Sequence, residues 1–171
     1  MTLELLRASS HVHIYYDSTN DWLFVDWQGD LDIPAAQEAC LELAYACLRR
    51  PYRRVLASTM QVTGVAWDVP AWLAKEFLPY LALAGVEQLA CASGNSTRGR
   101  DVLQDLVNRM PPLPIIIFDD LEMAVDWLQR TRPARGATAG YPGRLPATEA
   151  KLHEAVMRFM RLVELRRKQV A

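Results

Sequence analysis

The chain has 171 residues, a formal net charge of −1, and a composition that is 51% hydrophobic and 23% charged. That length suits one domain plus an appendage, and the balance lacks the basic excess with which a nucleic-acid binder neutralises phosphates. No apolar run approaches the roughly 18 residues of an integral membrane segment, the opening "MTLELLRASS" has no secretory h-region, and three cysteines without CxxC spacing disfavour a disulfide framework or zinc site.

The expectation from these totals is a cytoplasmic protein with reduced thiols. Along the chain, "HVHIYYD" and "DWLFVDW" are rich in β-branched and aromatic residues. The turn formers of "DSTND" join them as a hairpin, and Gly29 ends the second strand. Asp32 and Pro34 then open a helix as N-cap and first-turn residues. Its buried stripe is Ala36, Ala39, Cys40, Leu43 and Cys47, and Arg49 and Arg50 suit the dipole at its end.

"RVLAST" reads as a short strand and "MQVTGVAW" as the loop after it. The loop leads to a long helix, "VPAWLAKEFLPYLALAG", with Asp68 as N-cap and Gly85 as the residue past its end. Lys75 and Glu76 are its only charges, and Pro79 predicts a kink or division near Phe77. "QLACAS" is the next strand, "GNSTRG" a loop and "RDVLQDLVNRM" an amphipathic helix. "PIIIF" has the unbroken hydrophobicity of a fully buried strand. Asp119 and Glu122 make a capping pattern for "LEMAVDWLQR", which turns Ala124, Trp127 and Leu128 inward.

From Pro133 to Ala147, three Pro and three Gly in 15 residues without apolar period indicate a linker. A last helix, Thr148 to about Gln169, spaces Leu152, Val156, Phe159 and Val163 as a heptad-like seam. The expected fold is therefore α/β. It has a mixed, mostly parallel five-stranded sheet led by an antiparallel hairpin, helices packed on it, and a C-terminal helix. The domain is placed at residues 1–132, the linker at 133–147 and the helical appendage at 148–171.

Certain of these residues resemble a family. They are "WQG" at Trp27 to Gly29, "RRVL" opening the third strand, Trp72, Pro79 and Gly85 in and after the long helix, and "FDDLEMAVDWL" from Phe118 to Leu128. In that order they look like the stand-alone bacterial SpoIIAA-like domains of the STAS/SEC14-like group, over about Ser10 to Arg130. The resemblance implies a mixed sheet with helices packed against it and, from the better-known members, anti-sigma-factor antagonism. Those members carry a phosphorylated serine in an Asp-Ser-Ser-Gly-like motif. Here the matching region reads "ASTMQVTGVAWD", with Ser58, Thr59 and Thr63 but no such motif.

Candidate sites follow from the topology. Ligands of open α/β sheets gather at the carboxyl ends of the strands, which would bring Ser58 and Thr59 near Gly94, Asn95, Ser96, Thr97 and Arg98. Such a loop before a helix suits an anion, and equally its hydroxyls can satisfy the orphan helix amides. Asp119 and Asp120 diverge as adjacent residues, and the capping role already employs Asp119, so neither is read as a metal ligand or an acid/base pair. His11 and His13 share a strand face without a third metal ligand, as an exposed edge pair. Cys40, Cys47 and Cys91 are core residues, not nucleophiles. The "RRPYRR" run is read as a solvated helix end. No cofactor, metal or catalytic residue is expected.

Too many apolar residues encircle the long helix for one sheet to cover. The expectation is a non-enzymatic interaction module, a homo-oligomer, most simply a dimer. Its interface would use Trp72, Leu73, Phe77, Leu78, Tyr80 and Leu81, with Phe159 and Val163 of the last helix docking in cis or in trans. The alternative is a small-molecule or lipid binding domain with its pocket between the long helix and the strand ends.

Overall fold

The alternating N-terminal segments build one half of a sheet and the apolar segments after them build the other. A computed structural model describes residues 2–131 and 143–170. Its strands are β1 (Leu3–Ala8), β2 (Val12–Asp17), β3 (Trp22–Leu31), β4 (Arg54–Val65), β5 (Gln88–Ala92) and β6 (Ile115–Phe118). They lie side by side in chain order in one six-stranded sheet. The pairs β1–β2 and β2–β3 are antiparallel, and β3–β4, β4–β5 and β5–β6 are parallel.

The helices are α1 (Ile33–Arg49), α2 (Val69–Trp72), α3 (Leu78–Ala84), α4 (Thr97–Asn108), α5 (Leu121–Arg130) and α6 (Pro146–Val170). A π-helical turn, Leu73–Phe77, joins α2 to α3. One face of the sheet carries α1, the α2–α3 segment and α4, with α6 as an outer layer on α1 and α3. The other face carries α5 over Trp22, Leu56, Ala90 and Ala92.

The mixed sheet led by a hairpin is as the sequence predicts, but it has six strands rather than five. The sixth is β1, an edge strand whose Leu3 and Leu5 are 42% and 55% exposed, so it lacks the apolar run that marks a buried strand. With β1 in place, β2 is not an edge, and His11 and His13 are half-buried rather than an exposed pair. Gly29 does not end β3. It takes φ +77 beside a register shift, a bulge that lets the strand continue to Leu31. Likewise the first six residues of the expected "MQVTGVAW" loop, Met60 to Val65, are the second half of β4, pairing with Gln28 to Leu31. "PIIIF" is not fully buried, since β6 is the opposite edge and Ile116 is 39% exposed.

Local signals decide several helix ends. Asp32 accepts from the Ala35 N–H at 2.8 Å and Ser96 from the Gly99 N–H at 3.0 Å. Gly85 stands at φ +102, the left-handed end that favours glycine. At α5 the cap is Asp120, not Asp119, accepting from Met123 N–H at 2.7 Å, because Asp119 pairs with Arg100 instead. Asp68 makes no side-chain bond to α2. Most of the expected linker, residues 133–142, lies outside the described residues.

Candidate functional site

The site begins with Pro79. A proline lacks the N–H for its i−4 carbonyl and its ring crowds that carbonyl. The chain answers with the wide turn Leu73–Phe77, where the Leu78 N–H donates to the Leu73 carbonyl, five residues back. Such turns recur at functional sites. The rotation places Phe77, Leu78 and Leu81 inward, at 1%, 4% and 2% exposure.

Beneath this roof lies a cleft between helices and sheet. Its floor is Val25, Val55, Ala57, Leu89 and Cys91, its roof Leu73, Phe77, Leu78 and Leu81, and its side wall Val102, Leu103 and Leu106 of α4. Leu31, Val62, Val65 and Gly99 set it toward the carboxyl ends of β3 and β4. The space measures about 800 Å³ with its open mouth and holds a cavity of about 80 Å³. One water needs roughly 10–15 Å³ by the latter measure, so several heavy atoms fit. A large polar ligand does not suit the wall. The Thr59 hydroxyl, a rare polar group in it, already donates to Ala92 O at 3.5 Å.

Gly99 makes this geometry possible. A Cβ there would stand 2.7 Å from Thr59 Oγ1 and 3.1 Å from the Thr59 carbonyl, so α4 could not approach β4 as closely. The expected anion loop is otherwise engaged. Ser96 caps α4, Arg98 donates to the Thr63 carbonyl at 2.9 Å, and Gly94 takes φ +57 against Met60. Asn95 and Thr97 are exposed. Of the strand residues, Thr59 lines the cleft, whereas Ser58 points to the opposite face by strand alternation.

The residues expected at an interface are covered within one chain. Phe77, Leu78, Tyr80, Leu81, Phe159 and Val163 are buried, and Trp72 and Leu73 are half-buried. Phe159 enters a slot of Trp72, Phe77 and Tyr80, with ring centroids 6.2, 6.0 and 5.6 Å away. The Tyr80 hydroxyl donates to Ala44 O at 2.8 Å, and burial pushes its pKa upward.

Three charged features were illegible in the sequence. Arg144 donates to the Cys47, Leu48 and Ala84 carbonyls, capping the ends of α1 and α3 at once. Arg54 is 5% exposed and donates to the Asn20 and Leu128 carbonyls. Arg50 and Arg53 pair with Asp21 and Glu87 at 3.1 and 3.3 Å but stay part-exposed and Arg49 is exposed, so within the "RRPYRR" run only the buried Arg54 departs from a solvated helix end. Nothing in a residue-by-residue reading separates a capping arginine from a surface one.

The thiols are inert by placement. Burial pushes Cys47 and Cys91 up to about 12 and raises Cys40 well above the ordinary thiol range. Among the described residues, no group of three or more His, Cys, Asp or Glu is placed to hold a metal. No described helix is long and apolar enough to cross a membrane.

No family model matches the chain, and no curated protein matches it. Two solved structures are similar to it. One is an uncharacterized DUF3478-family protein with a SpoIIAA-like fold from Shewanella loihica PV-4, at 16% identity and TM-score 0.47, covering 72% of this chain and 98% of that one. The other is the anti-sigma factor antagonist SpoIIAA in its unphosphorylated form, at 15% identity and TM-score 0.47, covering 77% of this chain and 100% of that one. The similarity to both is one of fold, with no residue's role taken from either.

Proposed function

We propose that the chain is a non-catalytic binding module that takes a small neutral apolar group, alkyl or aryl, into the cleft under the π-turn. The observation that carries this is the cleft's wall, apolar on floor, roof and side, which runs along the parallel strands and reaches the carboxyl ends of β3 and β4. Catalysis asks for polar groups converging on a reacting atom, and this wall favours capture instead. The buried free thiols suit a reducing compartment such as the bacterial cytoplasm.

Titration with the neutral fluorophore N-phenyl-1-naphthylamine tests the proposal. A saturable one-to-one rise in emission is expected. Leu73→Trp, which fills the half-buried mouth, should weaken binding about tenfold, the scale of roughly 1.4 kcal/mol. Absence of a saturable signal, or an unchanged affinity in that variant, rejects the cleft as the site.

A second reading rests on α6. Its seam fills the groove formed by α1 and α3, and a second copy's α6 fits the same groove. Exchange would give the dimer expected from Trp72, Leu73, Phe77, Leu78, Tyr80, Leu81, Phe159 and Val163. Sedimentation velocity at tens of micromolar decides it: a monomer throughout removes this reading.

A further inference from the structure

The roof of the cleft is also the seat of α6. Phe77 belongs to both, lining the cleft while its ring lies 6.0 Å from that of Phe159. Arg158 of α6 reaches Glu76 of the same π-turn at 3.6 Å. Arg144, just before α6, fastens it to the end of α3 through the Ala84 carbonyl at 3.0 Å. The roof is helical throughout, but its α-helical ladder is interrupted at the turn, which uses a five-residue bond, and Pro79 contributes no N–H. A group entering the cleft presses on the inner side of Phe77, and α6 presses on its outer side.

We infer that α6 regulates the cleft: its docking and the entry of an apolar group reinforce each other through Phe77 and the π-turn. The inference rests on the cleft being the binding site proposed above. With α6 seated, the turn is already ordered, so the entering group has less freedom left to remove. Linkage makes the effect reciprocal, and a filled cleft holds α6 more firmly by the same factor. Whatever lifts α6 therefore empties the cleft.

Hydrogen exchange of the full chain, read by mass spectrometry with and without N-phenyl-1-naphthylamine, tests this. Saturating probe should slow amide exchange across α6 by about fivefold or more, the lower bound of typical coupling. Phe159→Leu and Arg144→Gln, neither of which lines the cleft, should each speed α6 exchange and weaken the probe by a matching factor. Probe bound with α6 exchange unchanged or faster overturns the coupling and leaves the cleft reading intact. So does faster α6 exchange in both variants at unaltered affinity. If the unaltered chain binds no probe saturably, the cleft reading itself fails and the inference goes with it.

Discussion

The two faces of the sheet are packed by different rules. Under α5, Trp22, Leu56, Ala90, Ala92, Ala124 and Leu128 are all at 0% exposure, large residues set against small ones. On the other face, α1, α3, α4 and α6 bury far more side chains and still leave the cleft. Neighbours on β4 divide between the two: Leu56 packs under α5, while Val55 and Ala57 line the cleft. An interior void forfeits dispersion contacts, and native cores keep few of them. That one strand packs tightly on one side and loosely on the other teaches that the opening belongs to the α2–α3 roof, not to the sheet.

The contrast breaks most readily by deletion. Leu128→Ala, on the tight side, should lose about 2–5 kcal/mol in urea unfolding, against about 1 kcal/mol or less for Leu73→Ala at the cleft mouth. Equal losses would mean that the faces are packed alike. Arg144→Gln should lower stability by about 2 kcal/mol, because helix-end carbonyls of α1 and α3 lose a charged donor. A urea midpoint shift reads that directly.

Alkali sharpens the comparison next, since the buried thiols all lie on the cleft face and the α5 face holds none among the described residues. Cys47 and Cys91 are held at about 12 when folded, from an ordinary 9.0. Raised acids of this kind contribute full stability below the unfolded value, and lose it as pH climbs toward the folded one. Unfolding free energies from urea should be level from about pH 8 to about pH 9 and then fall toward about pH 10.5 by roughly 1 kcal/mol per thiol per pH unit, one pKa unit being about 1.4 kcal/mol. A flat profile would show the thiols to be exposed. The smallest effect is a gain: Ala57→Val adds methyl groups to the cleft floor and should raise stability by about 0.5–1 kcal/mol while weakening the fluorophore. Calorimetry beside the titration checks both.

What the sequence made legible was local. Asp32, Ser96 and Gly85 act within a turn of their own position, and Pro79 announces the interruption at Phe77 by its own chemistry. The misreadings came from partners far away in the chain. β1 forms because β2 offers it an edge, and β4 runs past Met60 because the bulged end of β3 follows it. The cleft was legible only as a place at the strand ends. Its wall of Val25, Ala57, Val62 and Val102 has the composition of any core, and a gap between side chains is a property of their volumes together. Arg144 sat in a stretch read as linker by its Pro and Gly content, and nothing there signalled a residue spanning two helix ends.

That arginine has a consequence for cutting the protein in two. A chain severed by design between residues 132 and 142 keeps Arg144 on the same fragment as Leu152, Val156, Phe159 and Val163, all at 5% exposure or less. Mixed from separate preparations, the long piece and the short one carry what they need to find each other, which makes this fold a candidate split reporter.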